Sequence, residues 1–532
     1  MMRTKILILG SLLMVLQACG GGAHLNAKGE LEASRRDGRK AATGGHVDKA
    51  AAASFDGALN AFLEHDKKQD WAEATCTSVA KMFEDADAAQ KSATNRVFAE
   101  ALYNAGLALQ RCGKDEARAK FEAAAQADQS FHRAKAQVAL YDYQKSGDLD
   151  GTISKLDQVI HDAKFQNAEA LVSLAALQME RDSDQADDDG KDDLQRAQKN
   201  LQRALAVDDT YMPAFNQLAV YYLEQAKKKA GQKEKSRRGK RGMVVSGAKR
   251  AEVNEQQLDL AALVAGQAQK KNPNYAPIYN TSGLIQVELK NFNGAVKSFA
   301  RARSLDPKFF EAQMNYAAVN LSFRGYEEAE KAYREALRLR PKEYEAAIGL
   351  ALALRGQIND ANFEKNVTEA QKYLDEAKKI DESRPEAFYN EAILTHEFRT
   401  KRAGETTKVI PTLQKAAGQF RDFVQKAGDD PVFAAAVKRS NERVQDIEDT
   451  IKFLNESEEA RKQEEIAAKE AKETAAREAK EKAEAEKAAK EAAASGKAVP
   501  GADGKPADGA APAGGDKGAP PADKGAKPAG KK

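Results

Sequence analysis

The stretch NFNGAVKSFARARSLDP (Asn291–Pro307) is followed by a second stretch, GYEEAEKAYREALRLRP (Gly325–Pro341), that has the same pattern. Small residues let two helices approach closely, an aromatic ring fills the space beside them, and proline ends the second helix. The pattern predicts a repeated helical hairpin with a period of 34 residues. The corresponding pairs are Phe292 and Tyr326, Ala295 and Ala329, Phe299 and Tyr333, Ala302 and Ala336, and Pro307 and Pro341.

Weaker copies of this pattern extend in both directions. They predict about nine repeats between residues 51 and 430, and an amphipathic capping helix over residues 431–454 that closes the last apolar face. The chain has 532 residues, 42% of them hydrophobic, and few β-branched runs. The expected fold class is therefore all-α, a solenoid of helical hairpins.

The repeat resembles the tetratricopeptide (TPR) repeat, which has small, aromatic and proline positions in this order. The resemblance implies a solenoid whose first helices line a concave surface that binds partner proteins. Carried over by position, the expected partner-binding residues are Asn280, Thr281, Glu311, Met314, Asn315, Glu345 and Asn390. The alternative is that these are ordinary exposed helix residues.

The first 18 residues, MMRTKILILGSLLMVLQA, have two basic residues and then a short apolar run, as in a signal peptide. Leu16–Cys19 resembles a bacterial lipobox, which implies that Cys19 is acylated and anchors the chain in a lipid bilayer. Residues 19–50 are then expected to be a flexible tether. The expected location is the outer membrane, facing the periplasm; the alternative is an ordinary secreted protein.

Cys76 and Cys112 are the other two cysteines. In a TPR stack, Cys76 would lie near the start of one second helix and Cys112 near the end of the next first helix, so the two ends would meet. An oxidising compartment would allow a disulfide between them. The alternative is a pair of buried free thiols.

Two interruptions carry opposite charge. Residues 180–193 are acidic and are expected to form a solvated loop, with weak calcium binding as the alternative. Residues 227–250 hold eleven basic residues and one acidic residue. An anionic envelope polymer is a candidate partner for this basic insert, nucleic acid is not expected behind a signal peptide, and a plain solvated loop is the alternative. The central basic residues are Lys233, Lys235, Arg237, Arg238, Lys240 and Arg241.

The C-terminal region contains no core-forming pattern. Residues 455–495 consist mostly of Ala, Lys and Glu, with favourable i,i+4 charge pairs and no apolar stripe, so we expect a solvated single helix. Residues 496–532 are rich in Pro, Gly, Ala and Lys and are expected to be disordered.

Motifs for catalysis, metals or cofactors are missing from the sequence. His396-Glu397 begins like a zinc-protease motif, but the second histidine is absent. We expect no cofactor, no metal and no enzymatic activity, and instead a protein–protein interaction scaffold. A distant alternative is an enzyme of cell-wall turnover.

The domain plan as a whole, with lipobox, tether, repeats, charged helix and Pro/Gly/Ala tail, resembles the TPR lipoproteins of the myxobacterial gliding machinery. That resemblance implies a periplasmic scaffold that joins outer-membrane components to an envelope-spanning motor complex. The alternative is a scaffold lipoprotein for polysaccharide secretion.

Overall fold

A computed structural model describes residues 31–34, 38–41, 46–68, 70–185, 190–227, 254–404 and 406–494. The predicted signal peptide, Cys19, most of the basic insert and the C-terminal tail lie outside these residues. The described residues divide into one compact unit that ends at Ile451 and a second unit that begins at Lys452.

The first described elements are two short paired β-strands that sequence analysis did not predict. Strand β1 (Leu31–Ser34) pairs antiparallel with β2 (Gly38–Ala41), and Leu31 lies opposite Ala41. Two four-residue strands are too short to produce a recognisable alternation of apolar and polar residues. The segment predicted as a flexible tether therefore contains local strand pairing.

Helices are the main elements in the other described residues of the first unit. Between Lys49 and Ala427 the described residues form nine consecutive antiparallel helix pairs, numbered here as repeats 1 to 9. The predicted all-α fold of TPR-like hairpins is confirmed. The pairs are α1 (Lys49–Lys68) and α2 (Glu73–Thr94), α3 (Ala99–Gln110) and α4 (Glu116–Ala127), α5 (His132–Ser146) and α6 (Leu149–Asp162), α7 (Ala168–Arg181) and α8 (Asp193–Val207), α9 (Met212–Lys227) and α10 (Glu255–Lys271), α11 (Ala276–Glu288) and α12 (Phe292–Leu305), α13 (Phe310–Ser322) and α14 (Tyr326–Leu339), α15 (Tyr344–Gly356) and α16 (Phe363–Ile380), and finally α17 (Glu386–Ile393) with α19 (Thr406–Ala427). In repeat 9, α17 continues through a π-helical turn (Leu394–Arg399) into the short α18 (Thr400–Arg402).

The repeated small and aromatic residues have the packing roles that their positions predicted. Ala295, Phe299 and Ala302 are fully buried on α12. A Cβ atom on Gly283 of α11 would collide with the Phe299 ring, so only glycine permits this approach of the two helices. Tyr333 is packed in the same way against Gly349, which belongs to the next repeat. Each aromatic ring thus fixes the distance between neighbouring helices.

First helices form the inner layer of the array. From α5 onward, each contacts the first helix of the next repeat as well as its own partner. Residues on this layer can therefore contact the neighbouring repeat. The predicted partner-binding residues all lie on these first helices.

Helix α20 (Ala434–Ala494) is one continuous helix of 61 residues that covers both the predicted cap and the predicted charged helix. In the first unit, Ile447 is buried, and Arg443 forms an ion pair with Glu397 of the π-helical turn at 2.7 Å. The part from Lys452 onward is exposed along almost its whole length and has i,i+4 ion pairs such as Arg477 with Glu481. Within the described part of the chain, no helix combines the length and apolar character needed to cross a membrane.

Candidate partner-binding surface

Polar side chains connect successive inner helices. The Thr281 hydroxyl on α11 donates to Asn216 Oδ1 on α9 at 2.7 Å, and the Asn315 amide on α13 donates to Asn280 Oδ1 on α11 at 2.9 Å. Asn280 is 5% exposed and Thr281 is 3% exposed. Three of the residues predicted to contact a partner thus hold one repeat against the next, and only Asn315 among them retains substantial exposure.

Glu311 and Glu345 belong to a structural device that occurs in repeats 7 and 8. In repeat 7, the Arg340 guanidinium lies 3.8 Å from the centre of the Phe310 ring and forms an ion pair with Glu311 at 2.8 Å. Burial raises the pKa of Glu311 above its ordinary value, and the Arg340 charge opposes this effect.

In repeat 8, the Arg384 guanidinium stacks on Tyr344 at 3.8 Å and binds both Glu345 and Glu386. Each arginine follows the second helix of its repeat and stacks on the aromatic residue that begins the first helix of the same repeat. The structure therefore assigns both predicted carboxylates to internal ion pairs, which leaves them less available to a partner.

A second carboxyl group lies against Glu345. The Glu343 side chain hydrogen bonds to Glu345, an arrangement that requires a proton between the two groups. Burial, and then this contact, raise the pKa of Glu343 to about 8. Burial disfavours the charge on Glu345, but the Glu343 hydrogen bond and the Arg384 guanidinium hold the pKa of that carboxyl below its ordinary value. We assign the shared proton to Glu343.

Asn390 on α17 accepts a hydrogen bond from Arg355 at 3.0 Å and donates to the backbone carbonyl of Glu386. The two side chains border a narrow gap between α15, α16 and α17 whose other lining residues are apolar. Burial lowers the pKa of Arg355 below its ordinary value. Asn390 therefore orients a half-buried cation, and both its polar side-chain atoms form hydrogen bonds within the array.

Helices α11 and α13 carry half-buried residues that are mostly apolar. Here Leu284, Val287, Met314, Asn315 and Ala318 are each half-buried, and we call them the open strip. Leu284, Val287 and Met314 pack against the hydrophobic core. The strip presents flexible apolar side chains beside one amide group, a combination suited to a segment of polypeptide.

Helix α3 of repeat 2 is more completely buried than α11 or α13. Every residue of α3 is buried. The Tyr103 hydroxyl reaches Glu169 of α7 at 3.2 Å, and Gln137 of α5 bonds to Glu169 as well as to Gln110. These contacts join three successive inner helices. Sequence reasoning missed these hydrogen bonds because they join residues up to 66 positions apart.

The structure joins Cys76, at the start of α2, to Cys112, which follows α3, in a disulfide with a Cα–Cα distance of 6.3 Å. The remaining predicted sites, the lipidation site Cys19 and the basic patch Lys233, Lys235, Arg237, Arg238, Lys240 and Arg241, lie outside the described residues. Within the described ranges, no cluster of three or more His, Cys, Asp or Glu side chains could hold a metal ion.

No protein-family model matches this chain, and no curated protein is significantly similar to it. Solved structures with a similar local arrangement include several TPR proteins. A thermophilic TPR protein of Thermus thermophilus is 22% identical and covers 42% of this chain and 99% of its own, with a TM-score of 0.32.

A TPR protein of Parabacteroides merdae is 15% identical and covers 59% of this chain and 99% of its own, with a TM-score of 0.34. The PilF protein of Pseudomonas aeruginosa is 17% identical and covers 48% of this chain and 90% of its own, with a TM-score of 0.33.

Proposed function

We propose that this chain is a non-enzymatic scaffold of the bacterial cell envelope that binds a segment of a partner protein along the open strip. The observation that carries the proposal is the contrast along the inner layer. Every residue of α3 in repeat 2 is buried, whereas α11 and α13 of repeats 6 and 7 leave Leu284, Met314 and Asn315 only half-buried. An apolar strip with one amide group favours protein binding over catalysis.

The envelope location rests on two features. The N-terminal sequence has the charge and apolar pattern of a signal peptide that ends at a lipobox cysteine, Cys19. Independently, Cys76 and Cys112 lie at disulfide distance, which favours an oxidising compartment such as the periplasm. Together they support a chain held at the outer membrane by an acylated N-terminus.

The process we propose is gliding motility, with this chain linking outer-membrane components to an envelope-spanning motor. The support is the resemblance of the domain plan to the gliding lipoproteins. Polysaccharide secretion is the second candidate, because its scaffold lipoproteins share the same plan. Deletion of this protein distinguishes the two candidate processes. Loss of gliding with intact surface polysaccharide supports gliding motility, and loss of surface polysaccharide with intact gliding supports polysaccharide secretion.

Site-specific photocrosslinking tests the binding surface directly. A photoreactive amino acid at position 314 should capture one or more envelope proteins in living cells, to be identified by mass spectrometry. The matched control is position 263, where an exposed leucine lies on the outer helix α10. Motor or outer-membrane proteins captured from position 314 and not from 263 support the proposal. Equal capture from both positions, or none from 314, overturns the open strip as the binding surface.

A further inference from the structure

The hairpin turn of repeat 1 contacts the turn between repeats 6 and 7. The Lys308 ammonium donates a hydrogen bond to the backbone carbonyl oxygen of Trp71 at 3.1 Å, although the two residues lie 237 positions apart in the chain. Trp71 lies between α1 and α2, and Lys308 lies between α12 and α13. Successive repeats of a solenoid contact their neighbours, so repeats this far apart meet only where the array curves back on itself.

The two turns lie on opposite edges of the array. The turn that contains Trp71 joins the two helices of one repeat, whereas the turn that contains Lys308 joins one repeat to the next. Because consecutive helices are antiparallel, these two kinds of turn lie at opposite ends of the helix pairs. Contact between opposite edges is the geometry of a superhelix whose second turn begins to stack on its first. The array therefore completes one superhelical turn between repeat 1 and the start of repeat 7.

Each of the two turns is fixed by contacts within its own part of the array. The Trp71 indole donates to Asp66 Oδ1 at 2.8 Å, and the Arg111 guanidinium binds both oxygens of Asp66 at 2.8 Å. On the other side, the backbone amide of Lys308 donates to Asp306 Oδ1 at 2.9 Å, as in an Asx turn. The hydrogen bond between the turns therefore joins two locally ordered backbones.

We propose that repeat 1 is a latch whose hairpin turn docks reversibly on the turn before α13 and closes the first six repeats into one turn of the superhelix. Curvature in a solenoid is the sum of small rotations between neighbouring repeats, so a contact between distant repeats holds that sum at one value. Lys308 is exposed, and a hydrogen bond at the surface contributes little net free energy, so the closed and open forms exchange. The latch is independent of which partner the open strip binds.

Intramolecular photocrosslinking from position 72 tests the latch. Ala72 is exposed and adjoins Trp71, so a photoreactive amino acid there leaves both groups of the hydrogen bond in place. Irradiation of the purified full chain at high dilution should join position 72 to residues 304–310, to be identified by mass spectrometry. Lys308→Glu should lower the yield of this crosslink by about three- to tenfold, because a carboxylate replaces the donor and repels the carbonyl oxygen.

The matched control is Lys342→Glu. Lys342 is exposed and occupies the position of Lys308 one repeat later, so its replacement should leave the crosslink yield unchanged. Helical content and thermal midpoint are checked for both variants. A missing crosslink in the parent chain, or equal yields from the two variants, overturns the latch. So does a crosslink that joins isotope-labelled to unlabelled chains, because residues 304–310 would then belong to a second copy. Capture of envelope proteins from position 314 does not depend on any of these results.

Discussion

Replacing Glu343 with glutamine should stabilise repeat 8 at alkaline pH and have little effect at acid pH. The Glu343 carboxyl shares a proton with Glu345 and also faces Arg340, Glu311 and, through Glu345, Arg384. Glutamine keeps a hydrogen-bond donor toward Glu345 without carrying a charge. The variant therefore reproduces the protonated form of the pair at every pH.

The sign follows from the direction of the pKa shift. The pKa of Glu343 rises from 4.5 to about 8 on folding, so the folded chain binds more protons than the unfolded chain between these values. The contribution of Glu343 is fully present below pH 4.5 and is lost as the pH rises through about 8. The free energy of opening of the wild-type repeat thus falls across this window.

The stabilisation expected from Glu343→Gln is smaller than the full pKa shift of Glu343 implies. One pKa unit corresponds to about 1.4 kcal/mol, so the full shift would be worth about 5 kcal/mol. The Glu343 carboxyl remains partly exposed, and its titration is linked to that of Glu345, so solvent screening and coupling reduce the effect. We expect the variant to be more stable by about 1–2 kcal/mol near pH 8.5.

Hydrogen exchange measured by mass spectrometry is the appropriate assay, because repeat arrays open locally. After correction for the intrinsic rate, amides of α15 in Glu343→Gln should exchange roughly 5–30 times more slowly than in the wild type at pH 8.5. The difference should shrink at pH 5.5. The control is Glu364→Gln, which removes an exposed carboxylate from α16. A Glu343→Gln effect that is equal at both pH values, or equal to that of the control, would refute the shared proton.

Two further predictions concern the packing of the array. Reduction of the Cys76–Cys112 bridge, which spans 36 residues, should lower the free energy of unfolding of the N-terminal repeats by about 3–4 kcal/mol in urea titrations; an unchanged midpoint with two free thiols before reduction would contradict the bridge. Gly349→Ala should cost about 1–3 kcal/mol because the new methyl group meets the Tyr333 ring. Gly266→Ala, which meets open space on α10, should instead stabilise by up to about 1 kcal/mol, and equal thermal midpoints for the two variants would contradict this packing.

The sequence predicted the fold because the information is local. Ala295, Phe299 and Ala302 recur with a fixed period, and such a period has meaning only if each helix pair buries its apolar face against the next. The absence of an apolar stripe beyond residue 455 likewise predicted an exposed helix. The sequence did not predict β1 and β2, since strands this short depend on backbone pairing more than on side-chain pattern.

Only the tertiary structure decided which polar groups on the inner layer are paired within the array. Position in the repeat identified Glu311 and Glu345 as surface residues, but Arg340 and Arg384, 29 and 39 residues away, bind them within the array. Asn280 was an equally reasonable ligand residue until Asn315 was placed beside it. A buried polar group must find a partner, and which partner it finds depends on how repeats stack. Sequence therefore determined that an inner layer of first helices exists, and stacking determined which of its polar residues are engaged in contacts within the array.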